Sequence, residues 1–371
     1  MGTITRGLAN SITTGGKVVS TSLSGTIQAS NVNNESLDSV TAFASSLGDF
    51  VETRASDVSA GPTTKGQLFY NTTDGVLKGI RLQADSWASG ANLGTGRRGN
   101  SGGGTLTAGI TFAGYNPGSL VMGKTEEYDG TTFSEQNDMG TSRAFIAGAG
   151  TQTAGLGFGG YTPGSTYRAE VEEYDGTSWS EQNNLPAGHI QCSGCGTQTA
   201  GFHFGPYAPG ATLGASPTNL YDGTNWTSGP VQNTARAILS GNGDSSNAII
   251  FGGTSPGASA ATESWDGSSF SNVNSLNNAR FELGDGASFG TQSSGLAVGG
   301  EPNDSRAFVE SWDGTSWSST TSLTTGRKEF VAVGTASSGF VAGGESPGSN
   351  QENSSEHFTS SGIRALTITA S

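Results

Sequence analysis

The sequence predicts an all-β fold, a six-bladed β-propeller whose blades are four-stranded repeats, and three recurring features lead to this prediction. An apolar run ends in a glycine doublet, an Asp-Gly turn lies between strand-like segments, and an aromatic residue follows the turn. The segment from Gly150 to Asn184 shows all three, with Gly159-Gly160, Asp175-Gly176 and Trp179. Asp-Gly between two strand-like segments is a strong hairpin signal, because a type I′ turn needs positive φ at both central residues.

These features return along the chain in steps of 44 to 47 residues between Asp-Gly turns. The turns begin at Asp129, Asp175, Asp222, Asp266 and Asp313, with a degenerate copy at Thr359-Ser360. The doublets are Ala113-Gly114, Gly159-Gly160, Gly205-Pro206, Gly252-Gly253, Gly299-Gly300 and Gly343-Gly344. Such a period with about four short strands per repeat is typical of propeller blades. The pattern resembles kelch repeats, the blade type also found in galactose oxidase, over roughly residues 94 to 371.

The composition is unusual for a compact protein but suits a repeat array. Hydrophobic residues make up 32% of the chain, glycine occurs 60 times and the net charge is −14. A composition of this kind indicates disorder in a chain without repeats. In a repeat array each blade needs only a narrow apolar layer against its neighbours, so the regular repeat favours a folded protein. The acidic balance argues against nucleic-acid binding, which depends on clustered Lys and Arg. No apolar run is long enough to predict a membrane span.

Residues 1–80 are predicted to form a separate N-terminal module with a linker. Alternating apolar residues between Val19 and Ala29 predict a strand, and apolar spacing over 37–47 predicts a helix. A Pro/Gly/Ser-rich linker at 56–66 leads to a hairpin that turns at Asp74-Gly75. Because this portion is small and polar, we expect it to order against a partner or another copy of the chain.

The run GQLFYNTTDGVLKGI, followed by a Trp strand and kelch-type repeats, resembles virion proteins of tailed phages that infect marine bacteria. In that family a short N-terminal module precedes a Gly-rich propeller. The resemblance covers most of the chain and implies a place on a virus particle, made in the host cytoplasm. It also implies that residues 1–80 contact other virion proteins and that the chain is present as an oligomer or in many copies.

The last repeat lacks an aromatic fourth strand, and Trp87 is predicted to supply it. Five repeats carry this aromatic, at Phe133, Trp179, Trp226, Phe270 and Trp317. Leu93 follows Trp87 at the spacing at which Leu185 follows Trp179. We therefore predict a propeller domain over 81–371 in which residues 81–93 complete the sixth blade, leaving no free sheet edge.

Third-strand aromatics form a second ladder, which we interpret as inter-blade core rather than as a ligand site. They are Tyr128, Tyr174, Tyr221, Trp265, Trp312 and Phe358. Burying about two rings per blade is a major contribution to the stability of such a fold.

A basic residue precedes each first strand and an acidic residue precedes each third-strand aromatic by two positions. The basic residues are Arg97, Arg143, His189, Arg236, Arg280 and Arg327, and the acidic series is Glu126, Glu172, Asn219, Glu263, Glu310 and Glu356. A positive ring around the channel that captures an acidic ligand is one interpretation. However, the repeat that loses Arg, at His189, also loses Glu, at Asn219. We therefore predict that Arg and Glu form a structural brace within each blade, across a second-strand glycine.

The sequence predicts no catalytic, metal or cofactor site. A copper site like that of galactose oxidase needs two histidines and two tyrosines, one of them bonded to a cysteine. The chain has His189, His203 and His357, which we assign to separate repeats, and its cysteines, Cys192 and Cys195, fall on one strand. Positions three apart on a strand face opposite sides, which argues against a redox or metal-binding pair.

The loops between second and third strands are predicted to form a binding face. Each contains a proline turn, at Pro117-Gly118, Pro163-Gly164, Pro209-Gly210, Pro256-Gly257, Pro302-Asn303 and Pro347-Gly348. Tyr115, Tyr161 and Tyr207 follow the doublets of the first three repeats, with Tyr167 nearby. These side chains suit contact with a sugar or a protein on a host surface. The alternative is that each ring packs on its neighbour.

The favoured function is a non-enzymatic virion protein whose N-terminal module docks on the particle, in a tail-fibre or tail-associated position. Its propeller would be displayed for attachment to the host surface, where many copies strengthen weak contacts. The alternatives are a decoration or cement protein of the capsid or tail, a glycan-active propeller enzyme, and a cytosolic interaction adaptor.

Overall fold

The structure is a computed structural model, and it describes residues 52–54, 68–73, 76–116, 118, 120–164, 166–207, 217–302, 306–348 and 350–367. The chain divides into two compact bodies. We call Asp85–Ser360 the repeat domain, and Met1–Ala84 together with Ser361–Ser371 the terminal domain. The strand and helix predicted within residues 19–47 and the linker at 56–66 lie outside the described residues.

The described residues form strands joined by turns, with no helix among them. Four described strands precede repeat 1. They are β1 (Glu52–Arg54), β2 (Leu68–Asn71), β3 (Val76–Gln83) and β4 (Ser86–Ser89). Repeat 1 contains β5 (Ser101–Thr105), β6 (Ala108–Phe112), β7 (Thr125–Tyr128) and β8 (Phe133–Glu135). Repeat 2 contains β9 (Ala147–Thr151), β10 (Ala154–Phe158), β11 (Tyr161–Thr162), β12 (Thr166–Tyr167), β13 (Val171–Tyr174) and β14 (Trp179–Gln182). Repeat 3 contains β15 (Ser193–Thr197), β16 (Ala200–Phe204), β17 (Thr218–Tyr221) and β18 (Trp226–Gly229).

Repeat 4 contains β19 (Ser240–Gly243), β20 (Ala248–Phe251), β21 (Thr262–Trp265) and β22 (Phe270–Val273). Repeat 5 contains β23 (Asp285–Thr291), β24 (Ser294–Val298), β25 (Val309–Trp312) and β26 (Trp317–Ser319). Repeat 6 contains β27 (Val331–Thr335), β28 (Ser338–Ala342), β29 (Glu345–Ser346), β30 (Asn350–Gln351) and β31 (Ser355–Thr359). The last strand is β32 (Gly362–Thr367).

Each of repeats 1 to 4 has its own antiparallel sheet of four strands, and β11 and β12 of repeat 2 form a further two-stranded sheet. Repeats 5 and 6 share an eight-stranded sheet, because β23 pairs in parallel with β27. One edge strand of that sheet is β4, which pairs with β31 and sets Trp87 opposite Phe358. Thus the Trp87 segment hydrogen-bonds to the third strand of the last repeat, as its sequence predicts.

The boundaries differ from the predicted ones at both ends of the repeat domain. Residues 81–83 belong to β3, so the strand added to repeat 6 is only Ser86–Ser89. Strand β32 lies in the terminal domain, where the sheet order is β1-β2-β3-β32. Sequence patterning gave β32 to the last repeat because it follows that repeat directly along the chain. The predicted hairpin is present as the antiparallel pair of β2 and β3, with its turn residues Asp74-Gly75 outside the described residues.

The Asp-Gly hairpins are present, but their turn type is not the predicted one. Asp175 donates its backbone N–H to Ser178, which makes Gly176 and Thr177 the central residues. Only Gly176 has a positive φ, of 91°, whereas a type I′ turn needs a positive φ at both central residues. The Asp175 carboxylate accepts the N–H groups of Thr177 and Ser178, at 2.8 and 2.7 Å, and these backbone hydrogen bonds lower its pKa.

Two aromatic ladders form the core, as predicted. Within each repeat the third-strand and fourth-strand rings lie 4.5 to 5.2 Å apart between centroids. An aromatic residue of the second strand, or of the first strand in repeat 5, then packs against a ring of the following repeat. These inter-repeat contacts are Phe112–Trp179, Phe158–Trp226, Phe202–Trp265, Phe251–Trp317, Phe289–Trp87 and Phe340–Tyr128. The last of these contacts joins repeat 6 to repeat 1.

Candidate functional site

Five buried ion pairs lie where the second strand of a repeat ends. In each, an arginine just before the first strand pairs with the glutamate of the third strand. The pairs are Arg97–Glu126, Arg143–Glu172 at 2.9 Å, Arg236–Glu263 at 2.9 Å, Arg280–Glu310 at 3.0 Å and Arg327–Glu356 at 3.1 Å. All five arginine side chains are fully buried, and burial lowers the pKa of each. The predicted brace is therefore formed in each of these repeats.

Each brace fixes the base of a loop. In repeat 2, Arg143 Nη1 donates to the carbonyls of Gly159 and Glu170, the residues that flank the loop between β10 and β13. The Glu172 carboxylate also accepts the backbone N–H of Gly140, in the segment that enters the repeat. The equivalent arginine bonds occur in repeats 1, 4, 5 and 6. One ion pair thus anchors two loops on the same side of the sheet, which we call the loop face.

The predicted path of the brace across a second-strand glycine is wrong. The guanidinium bonds to carbonyls at the ends of the strands. The position opposite the glutamate is Gly157 in repeat 2 but Ile250 in repeat 4 and Val341 in repeat 6. A bare backbone is therefore not needed, since the ion pair also forms where Ile250 or Val341 lies opposite the glutamate.

Repeat 3 replaces the brace with a pair of histidines. His203 occupies the second-strand position opposite Asn219, and its Nδ1 lies 3.1 Å from the Asn219 side-chain nitrogen. His189 stacks on His203, with ring centroids 4.9 Å apart and planes 14° apart. Assigning these histidines to separate repeats was wrong, since the residue before the first strand and the second strand meet in the fold. Cys195 lies on β15 and Cys192 just before that strand, so the two cysteines do not share one strand as predicted. Both are buried, and burial raises the pKa of Cys195.

The histidines are buried without an acidic partner. His189 Nδ1 and His203 Nε2 have no hydrogen-bond partner among the described residues. Burial lowers the pKa of His189, and it lowers that of His203 well below the usual value, with a further contribution from the charge of His189. Both rings are therefore neutral in the folded protein near neutral pH.

Two residues after each brace position, every repeat has a residue with left-handed backbone. These residues, with φ from 49° to 60°, are Gly99, Phe145, Gln191, Ile238, Glu282 and Glu329. We call them the left-handed series. Neighbouring members are linked by backbone hydrogen bonds from Phe145 to Gly99, Gln191 to Phe145, Glu282 to Ile238, Glu329 to Glu282 and Gly99 to Glu329. Ile238 instead donates to Gly205. The series brings one residue from each of the six repeats into one region of the loop face.

The predicted binding tyrosines lie on this face and are half-buried. Tyr115 exchanges backbone hydrogen bonds with Arg98, and its ring lies 6.1 Å from that of Phe145 in the next repeat. The Arg98 guanidinium lies 5.9 Å from the Tyr115 centroid and 5.6 Å from that of Phe145, within the range of cation–π interactions. Tyr115 therefore belongs to a mixed aromatic and cationic cluster.

The other tyrosines pair locally. Tyr161 on β11 lies opposite Tyr167 on β12, and Tyr161 also bridges to Ala144. Tyr207 bridges to Ile190. Among the described residues, no ring contact joins the tyrosines of different repeats. Of the predicted proline turns, Pro117, Pro209, Gly210 and Asn303 lie outside the described residues.

Sequence reasoning missed a charged network on the loop face of repeats 5, 6 and 1. Its members are Arg98, Glu282, Glu301, Arg306, Lys328, Glu329 and Glu345. Arg98 contacts Glu329 at 2.9 Å and Glu345 at 2.8 Å, and Lys328 contacts Glu282 at 2.9 Å. Two of the carboxylates belong to the left-handed series. The sequence does contain a signal for this network: in repeats 5 and 6, charged residues stand one or two positions after the brace arginine and directly after the doublet.

The network contains one carboxyl group whose titration is strongly shifted. Burial and the nearby charge of Glu282 raise the pKa of Glu329 to about 7, against the opposing charges of Arg98 and Lys328. Burial alone lowers the pKa of Lys328, but its hydrogen bond to Glu282 and the surrounding carboxylates raise it above the usual value. Such a group can donate or accept a proton near neutral pH. Among the described residues, no group of three or more His, Cys, Asp or Glu is placed to hold a metal ion.

No protein-family model matches the chain, and none of the curated proteins matches it. The chain is similar to a solved structure titled "Structure of YjhT", with a TM-score of 0.58 and 12% sequence identity. The match covers 74% of this chain and 98% of that chain. The described residues also contain no helix of the length and apolarity needed to cross a membrane. At this level of identity the likeness concerns the fold, and the chain has an all-β, β-propeller-like fold.

Proposed function

We propose that the six repeats form a closed six-bladed propeller that displays the loop face for recognition. Ring contacts that run from each repeat to the next, and from repeat 6 back to repeat 1, support a closed arrangement. The pairing of β4 with β31 supports the borrowed final strand. Backbone hydrogen bonds along the left-handed series further support closure, since one of them joins Gly99 to Glu329.

The proposed function is a non-enzymatic virion protein of a tailed phage. Residues 1–80 dock on the particle and the propeller attaches to the host surface. The observation that carries the recognition role is the cluster of Arg98, Tyr115 and Phe145. The cluster keeps part of its aromatic surface in solvent. Because buried braces fix the loops around it, such a cluster loses little conformational entropy on binding.

The test combines particle analysis with host adsorption. The chain is expected to co-purify with intact particles, and the purified protein is expected to adsorb to host cells. Replacing Tyr115, Tyr161 and Tyr207 together with Ala is expected to lower adsorption about tenfold or more, because aromatic anchors dominate binding surfaces. The matched triple replacement with Phe keeps the ring packing and is the control for folding.

Three results would each contradict part of this function. Absence of the chain from purified particles would remove the virion role. Unchanged adsorption of the triple Ala variant, with an unchanged thermal transition, would remove the tyrosines from recognition. If the wild-type protein is on particles but does not adsorb to the host, the decoration or cement function replaces attachment.

A glycan-active enzyme is the second candidate, and the charged network favours it. Glu282 and Glu329 are neighbouring carboxyl groups, and the pKa of Glu329 near 7 suits a general acid. Glycosidic-bond cleavage commonly uses a pair of carboxyl groups in this manner. Release of reducing sugars from host-surface glycans by the wild-type protein, and its loss in Glu329→Gln, would support the enzyme over the attachment protein.

A further inference from the structure

We propose that the charged network is a binding site for a neutral polyhydroxylated ring, such as a hexose unit of a glycan. This inference rests on the proposed recognition function. It places the sugar site at the charged network, whereas the attachment test concerns Tyr115, Tyr161 and Tyr207. No single cation or carboxylate carries the proposal. It depends on the mixture of charges, on unsatisfied donors, and on an apolar border at the same place.

The first argument is the charge balance of the network. Four carboxylates face three cations, so the site has little net charge to offer a charged ligand. Glu345 alone lies within ion-pair distance of Arg98, Arg306 and Lys328. Because cations and carboxylates lie side by side, an anionic or a cationic ligand meets repulsion as well as attraction and gains little overall. Hydroxyl groups fit both, because each donates to a carboxylate and accepts from a cation.

The second argument is independent of the carboxylates and concerns Arg306. This residue is 6% exposed, and its Nη2 contacts Glu301. Its Nε and Nη1 are buried and have no hydrogen-bond partner among the described residues. Buried donors without acceptors are costly, so these groups favour a ligand or water that brings an acceptor oxygen. The four network carboxylates are already paired with cations, so a ligand hydroxyl can supply the acceptor oxygen that these groups need.

The third argument is the apolar border. Phe145, Ile238 and Phe281 lie beside the network in the left-handed series or next to it, and each is half-buried. Arg98 belongs both to the network and to the aromatic cluster of Tyr115 and Phe145. A pyranose ring presents C–H groups on its faces and hydroxyls around its edge. It can therefore contact the apolar border while its edge bonds to the charged groups.

Solvent reaches the site without any rearrangement of the backbone. The side chains of Arg98, Lys328, Glu301 and Glu282 are 27%, 15%, 13% and 11% exposed. Gln191 donates to Glu282 at 3.4 Å and extends the polar surface toward repeat 3. The ligand thus enters from the loop face, where the proposed host contact takes place.

The experiment is ligand-observed saturation-transfer NMR on the full chain, using neutral glucose, galactose and mannose and their disaccharides as probes. Glucuronate and glucosamine are the charged comparators. At least one neutral sugar is expected to bind, and more tightly than either comparator. Glu282→Gln and Arg306→Lys are each expected to weaken that binding about tenfold or more, since each alters a charged hydrogen-bond partner. Glu135→Gln, which removes a carboxylate from the exposed pair with Lys124, is the matched control and should bind as the wild type does.

Three results would overturn the proposal: no neutral sugar binds, a charged comparator binds more tightly, or both network variants bind as the wild type does. Circular dichroism and the thermal transition identify any variant that fails to fold. In that case Lys328→Gln, at a more exposed position of the network, takes its place. The result is separable from the attachment test. Host adsorption that depends on the tyrosines without any sugar binding keeps the proposed function and removes only this site.

Discussion

At the scale of single residues, Arg143 provides the sharpest test of the brace. Arg143→Met leaves the Glu172 carboxylate buried without its cation and frees two carbonyls at the base of the loop. Breaking a buried pair in this way costs about 3 to 5 kcal/mol of unfolding free energy. Urea unfolding followed by tryptophan fluorescence measures the change.

The matched control is Arg168→Met in the same repeat. Arg168 pairs with Glu170 at 3.3 Å, but both side chains are about a quarter exposed. Such pairs contribute about 1 kcal/mol or less, so this variant should remain close to the wild type. The double variant Arg143→Met, Glu172→Gln should recover part of the loss because it removes the unpaired charge. Equal effects of the two single Arg variants would argue against a structural brace.

The brace could be predicted from sequence because its two members change together. Where Arg becomes His189, Glu becomes Asn219, and this single exception links two positions that are about 30 residues apart. The charged network could not be found in this way, since Glu282, Glu301, Glu329 and Glu345 occupy positions that carry other residue types in repeats 1 to 4. A repeat pattern reveals what all repeats share, whereas a site depends on what some repeats do differently.

At the scale of one element, repeat 3 is expected to be the acid-sensitive part of the repeat domain. Its histidines have pKa values lowered by burial, so the unfolded chain binds protons more readily than the folded repeat. Their contribution to stability is complete above the unfolded histidine pKa of about 6.5. It is lost as the pH falls below that value toward the lowered folded pKa values.

A variant that restores the pattern of repeat 2 tests this expectation. In His189→Arg, His203→Gly, Asn219→Glu the stacked rings are replaced by the residues found at Arg143, Gly157 and Glu172. Hydrogen exchange of β15, β16 and β17 is expected to accelerate between pH 7 and pH 5 in the wild type and to change less in the variant. His357 is present in both proteins, and its lowered pKa therefore does not affect the comparison. The same acceleration in both proteins would refute the assignment to the histidine pair.

The elements also show where local signals mislead. The doublets were recognised by composition, and the structure explains them by positive φ at their first residues, including 64° at Ala113 and 69° at Gly159. The hairpins were predicted correctly, but the turn type was not, because Asp175 caps the turn instead of occupying its centre. Strand β32 was assigned to the wrong sheet because sequence order does not report a pairing across nearly the whole chain with β3.

At the scale of the whole molecule, the proposed closed ring makes a prediction about chain order. Thr359 lies opposite Ser86, and Phe358 lies opposite Trp87, as Tyr174 lies opposite Trp179 in repeat 2. The two strands of repeat 6 can therefore be joined by the same Asp-Gly-Thr-Ser turn that joins β13 to β14. A permuted chain that runs from residue 94 to Phe358, and then through this turn into residues 87–93, restores four consecutive strands in every repeat.

We expect this permuted chain to fold as a monomer with one cooperative thermal transition. The matched control ends at Phe358 and lacks residues 87–93. It loses the contacts of Trp87 with Phe289 and Phe358 and the hydrogen bond from Trp87 Nε1 to Thr321, and it leaves β31 as an exposed edge. Loss of a large aromatic side chain from such a contact costs about 3 kcal/mol or more, so the control should unfold earlier and associate through that edge. Light scattering and calorimetry compare the two chains, and equal stability would mean that the Trp87 strand does not close the ring.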